Sequence, residues 1–134
     1  MDSDSELQKI ISQSSFTVSE GAYVYAKVRT LPQNGEHFLV TQDNDEITVV
    51  TLAEKLKELD LIERNKDDYT LIALNVSMPF YSVGLLATVS SAIAKQNMDI
   101  LIVSTYSKDY ILVRQDQTKK ATKVLTAIGF REVS

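Results

Sequence analysis

The stretch Ser82-Val83-Gly84-Leu85 holds the residue types best suited to binding chemistry in this sequence. Ser82 is of the kind that caps a helix, which makes Gly84 an early helical position. A helix N-terminus presents unpaired N–H groups and a positive dipole end, both suited to a carboxylate. A glycine at such a turn also lets a ligand or a neighbouring strand approach backbone that a Cβ would obstruct. Two structural alternatives stand beside this: the residues simply start a helix, or Gly84 packs tightly against Tyr25 or a dimer mate. With only 4 glycines and 2 prolines in the chain, the placement calls for a reason.

Other chemistries fare worse. His37 is the single histidine, so this residue type supplies neither a metal trio nor a second general base. There is no cysteine, hence no disulfide and no thiolate, and a cytoplasmic address is expected. The acidic run "DNDE" (43–46) opens like a calcium loop, but Thr48 stands where that loop needs glycine, so it reads as a hairpin tip and not as a metal site. Ser90 and Ser91 have no base to activate them. Lys119, Lys120 and Lys123 read as a solvated helical face. A net charge of −4 and a pI near 4.9 offer no basic field for nucleic acid. No apolar run approaches the roughly 18 residues needed to span a membrane. The opening "MDSDSE" is the opposite of a secretory n-region. With no acid–base pair, nucleophile or cofactor motif in view, the expectation is a non-enzymatic protein without cofactor or metal.

The elements that must position the Gly84 turn emerge from hydrophobic periodicity. Runs of period two fall at 22–28, 37–41, 46–50, 69–76, 99–105 and 110–113, rich in Val, Ile, Thr and Tyr, and these predict strands. Helical spacing covers 82–96, where Val83, Leu86, Ala87, Ser90, Ile93 and Ala94 share a face, then 118–128, and more briefly 51–59. Ser5 to Gln13 predicts a short helix with Leu7, Ile10 and Ile11 inward. Alternating strands and helices make the class α+β.

The chain also repeats itself. "HFLVTQDNDEITVV" (37–50) aligns without a gap over "ILIVSTYSKDYILV" (100–113), turn over turn, and "YVYAKV" (23–28) over "LIALNV" (71–76). "LKELDLIE" (56–63) lies over "LTAIGFRE" (125–132), which aligns helix with helix. The copies differ between their first two strands, where the later copy has room for helix 82–96 and the earlier has only "RTLPQNGE" (29–36). The second half therefore reads β-α-β-β-α-β, a ferredoxin-like unit over residues 69–134. The first, over residues 1–68, has the same plan without its first helix and with a short N-terminal helix. Each sheet is antiparallel with its helices on one face.

A tandem of such units, with "VSMPFYSVGL" (76–85) entering a helix and "MDILIVSTYSKDYILV" (98–113) as a hairpin, resembles the ACT domain family. Its nearest likeness is to the stand-alone tandem ACT-like proteins, carried by Val83-Gly84-Leu85, Tyr106, Asp109 and the "ILV" that follows. The chain departs from the group pattern where Ser77, Met78 and Pro79 replace the usual His and Ser residues, and where Lys108 occupies the hairpin turn. The resemblance implies allosteric regulation by a small ligand, most simply an amino acid. Its carboxylate would lie near Ser82, Val83, Gly84 and Leu85. The opposite wall would come from a partner unit through Ile102, Val103, Ser104, Thr105 and Tyr106, supported by Asp109, or through the equivalent strand 37–41. Small faces at Ala87, Ser91 and Ala94 fit a homodimer. The alternative is a protein–protein interaction module that uses the same surfaces with no metabolite. Because Gly35 lies in a plain turn, the earlier unit is expected to lack the site.

Overall fold

The computed structural model describes residues 3–76 and 83–134. Helix α1 (Ser3–Ser12) leads to β1 (Ser15–Val18) and β2 (Tyr23–Val28), then to the hairpin of β3 (Leu39–Gln42) and β4 (Ile47–Leu52). A 3-10 segment (Ala53–Glu58) precedes β5 (Leu61–Arg64) and β6 (Tyr69–Asn75). Helix α2 (Leu85–Ala94), the hairpin of β7 (Leu101–Ser104) and β8 (Asp109–Arg114), helix α3 (Thr118–Ile128) and β9 (Arg131–Glu132) complete the chain. These form two compact units, a larger one of Met1–Glu20 with Thr70–Ser134 and a smaller one of Gly21–Tyr69.

The larger unit holds strands in the order β7-β8-β6-β1-β9. Without β1 this is the ferredoxin-like order of a βαββαβ unit, α+β as expected. β1 runs antiparallel to β6 and parallel to β9, between the first and last strands of that pattern. Phe16 at its centre is fully buried, and the Asn75 Nδ2 group donates to both Ser15 Oγ and Thr17 Oγ1 at 3.2 Å. The core packs helix residues Ile11, Leu85, Val89, Ile93, Ala121 and Leu125 against Phe16, Ile72, Leu74, Ile111 and Val113 of the strands. At about 25 cal/mol per Å² of buried apolar surface, this layer is the main stabilising feature of the unit.

The smaller unit repeats the strand order as β3-β4-β2-β5. No helix joins β2 to β3, in line with the short crossover, and the 3-10 segment stands where an α-helix would follow β4. Its core is small, with Ala26, Val28 and Val49 buried and Leu56, Leu59 and Leu61 packed against them. The Tyr25 ring meets Tyr69 edge-on at 5.8 Å between centroids, and burial, followed by the neighbouring Tyr69, raises the Tyr25 hydroxyl pKa above its ordinary value. At the β3–β4 tip, Asp43 Oδ1 accepts from the backbone N–H groups of Asp45 and Glu46, so "DNDE" is a side-chain-stabilised hairpin turn. Among the described residues no group of three His, Asp or Glu side chains is placed to hold a metal ion, and no helix is long and apolar enough to cross a membrane.

Four sequence expectations are corrected. The N-terminal helix does not belong with the first half: Ile11 and Phe16 are buried in the core of the larger unit. The helix expected within 51–63 is a 3-10 turn followed by β5, because only residues 53–60 separate β4 from β5, against residues 115–130 between β8 and β9. The inward face of α2 is Leu85, Val89 and Ile93; Val83 and Ala87 are exposed, since small apolar residues all round this helix blur its phase. Gly84 is no early helical position but the cap itself.

Candidate functional site

Gly84 has φ 85° and ψ 0°, the left-handed region, and immediately precedes Leu85, the first residue of α2. A Cβ built on it would meet only Leu7 Cδ2, at an ordinary 3.6 Å. The glycine is therefore explained by backbone conformation, not by close packing, and neither Tyr25 nor a tight neighbour is involved. The first intrahelical bond runs from the Thr88 N–H to the Gly84 carbonyl at 2.9 Å. The N–H groups of Leu85, Leu86 and Ala87 thus lack intrahelical acceptors, and no side chain of the capping residue bonds to them. Val83 beside the turn is 82% exposed, whereas the Leu85 side chain lies in the core and offers only its backbone. Ser82 lies outside the described residues, as do Met78, Pro79, Phe80 and Tyr81.

The second set of expected residues sits on the β7–β8 hairpin. β7 is paired on one side, with β8, through Ile102↔Ile111 and Ser104↔Asp109. Leu101 and Ile102 are partly exposed edge hydrophobics, and Val103 is half-buried. Ser104 Oγ donates to Asp109 Oδ1 at 2.6 Å, so these two polar groups already engage each other. Thr105 and Tyr106 lie past the strand end: the Thr105 N–H bonds to the Lys108 carbonyl at 2.8 Å, closing the turn, and Tyr106 is 87% exposed. The turn before α2 and the β7–β8 hairpin are separate elements of the larger unit.

Sequence reasoning missed the concavities of both units. In the larger unit, α2 and α3 flank an open groove of about 610 Å³ lined by Ala87, Ser91, Lys95, Val124, Ala127 and Ile128. In the smaller unit a polar cleft of about 270 Å³ lies beside the short crossover, among Thr30, Asn34, His37 and Asp60. The His37 Nδ1 atom is 2.8 Å from Thr51 Oγ1, and Arg29 pairs with Asp60 at 3.1 Å across exposed surface.

The strand order, the antiparallel hairpins and the two helices define a ferredoxin-like fold. Residues 65–127 match the ACT domain family. Among solved structures, a Vibrio cholerae protein of unknown function described as a possible transport protein shares 21% identity. It has a TM-score of 0.80, covering 96% of this chain and 99% of its own. A protein from Agobacterium tumefaciens shares 20% identity at a TM-score of 0.73, covering 90% and 92%. The ligand-free regulatory subunit of aspartate kinase from Thermus thermophilus shares 6% identity at a TM-score of 0.58, covering 86% and 95%. No curated protein matches the sequence.

Proposed function

We propose that this chain is a non-enzymatic, cytoplasmic regulatory protein that binds a small ligand, an amino acid, at an interface between ACT units. The observation that carries the reading is the Gly84 turn. Its left-handed backbone leads directly into the first turn of α2, where the N–H groups of Leu85 to Ala87 have no intrahelical acceptor, beside exposed Val83, within the stretch that matches the ACT domain family. In this reading Ser82, Val83, Gly84 and Leu85 receive the ligand carboxylate through backbone groups. Ile102, Val103, Ser104, Thr105 and Tyr106 of a partner unit form the opposite wall, with Asp109 orienting Ser104. A homodimer supplies that unit. Regulation then follows because the ligand stabilises one arrangement of the units over another.

Thermal-shift measurement against the twenty amino acids tests this. One or two of them should raise the melting temperature, by the equivalent of about 2.7 kcal/mol at a ligand concentration of 100 Kd. Gly84→Val should abolish the response, and calorimetric titration should count no more than one site per chain. A second reading, docking of a protein on the same surfaces, is favoured by the exposure of Val83, Leu101, Ile102 and Tyr106. It takes over if none of the twenty has an effect.

A further inference from the structure

The helical layer of the larger unit carries a charge pattern that amino-acid binding does not use. Segments 85–95 and 118–128 hold four lysines, Lys95, Lys119, Lys120 and Lys123, and no Asp or Glu, although acidic residues outnumber basic ones 18 to 14 in the chain. All four are exposed, and none joins an ion pair among the described residues. Lys119 and Lys120 occupy the first turn of α3, which has no acidic residue and where the helix dipole disfavours cations. Asp116, in the 3-10 turn that leads into α3, stands three and four residues before Lys119 and Lys120 but lies 4.0 Å from Arg114, and within α2 and α3 themselves no carboxylate stands at that spacing from a lysine.

One of the four belongs to the groove between α2 and α3. Lys95 lines it directly, with Val124, Ala127 and Ile128 as its apolar wall. Lys120 and Lys123 stand four residues before Val124 and Ala127, on the same side of α3. We propose that this groove docks an acidic, amphipathic helical segment of a partner protein. Its apolar residues enter between α2 and α3, and its carboxylates meet Lys95, Lys120 and Lys123. Charge selects this occupant. A second copy meeting the groove face to face would set the same four lysines against their duplicates. The chain's own acidic helix α1 is committed, with Ile11 in the core of its unit and Leu7 packed against it. The groove shares Ala87 with the turn before α2, but its other lining residues play no part in the amino-acid reading, and the proposal stands without that reading.

The test is an amide NMR titration of the full chain with a short helical peptide bearing Leu at i, i+4 and i+7 and Glu on the flanking positions. A control peptide carries Lys for each Glu. The acidic peptide should shift the resonances of Ser91, Val124 and Ala127, and its affinity should fall about tenfold or more at high salt. The exposed-site variant Lys95→Glu/Lys120→Glu/Lys123→Glu should reverse the preference and bind the control peptide, a result that misfolding cannot produce. Ser91→Trp should block either peptide by filling the groove. The proposal is overturned by equal binding of both peptides, by shifts that map elsewhere, or by absence of binding. It is overturned equally by groove shifts that follow protein concentration alone, which would indicate a second copy. Shifts with phosphatidylserine vesicles and none with peptide would assign the lysines to a membrane surface and reject it too.

Discussion

Two units in this molecule share one strand order and differ in nearly everything laid upon it. The larger covers its sheet with α1, α2 and α3 around a core that buries Phe16, Ile93 and Leu125 completely. The smaller has a 3-10 turn in place of its second helix, a bare connection in place of its first, and a core of Ala26, Val28 and Val49. Strand pairing and right-handed crossover geometry preserve the arrangement of the smaller sheet even though the covering layer has shrunk. What the missing helix removes is a turn: the smaller unit has no counterpart of Gly84, because its crossover glycine, Gly35, has neither a positive φ nor any atom within 4 Å of a built Cβ.

The sharpest way to break this comparison is to empty each core in turn. Phe16→Ala should destabilise the chain by about 3–5 kcal/mol and Leu125→Ala by about 2–5 kcal/mol, read from urea midpoints. Val49→Ala, which removes two methyl groups from the smaller core, should cost roughly 2 kcal/mol. Amide exchange should show the same asymmetry, with β2 and β4 opening more readily than β6 and β8. If both cores respond alike, helical cover is not what distinguishes the units.

A second comparison sets glycine against glycine. Gly84→Ala forces a Cβ into left-handed backbone and should cost about 1–2 kcal/mol, while Gly35→Ala should stay within about 0.5 kcal/mol. Equal effects would mean that the turn before α2 relaxes freely, and the case for a preset anion-receiving turn would weaken.

Much of this contrast was legible in the amino acids. Strong periodicity marks α3 to the residue, and the alignment of 37–50 over 100–113 identifies both hairpins from sequence alone. The elements that escaped were short. β1, β5 and β9 have four, four and two residues, too few for an alternation to stand out, and Leu61-Ile62-Glu63-Arg64 continues the helical rhythm that precedes it. The candidate site was half legible. Residue type located Gly84, but its role as a left-handed cap depends on a φ angle that no pattern of side chains reports. Thr105 and Tyr106 were expected on the strand, and the tight turn closed by Lys108 takes them off it.

The smallest expected effect concerns pH. Burial and Tyr69 raise the Tyr25 pKa, so the folded state holds that proton more tightly than the unfolded chain. This contribution is fully present below pH 10, the ordinary tyrosine value, and is lost as pH rises through the higher folded value. Between pH 8 and 11 the wild type should therefore lose slightly more stability than Tyr25→Phe, measured by urea midpoints at each pH. At the other end of the scale, Lys55 holds the Glu36 carboxyl below its usual range through a hydrogen bond at 2.7 Å. That pair is solvent-exposed, and Glu36→Gln should leave acid stability almost unchanged.

The pairing of Ser15 with Arg131 carries one more implication. A ribosome delivers residue 15 before either of its neighbours in the sheet, Asn75 and Arg131, so the segment Ser15–Val18 finds its first partner only after Gly21–Tyr69 has been made. Its second partner arrives more than a hundred positions after it. Until then one edge of Ser15–Val18 stays open while β6 holds the other.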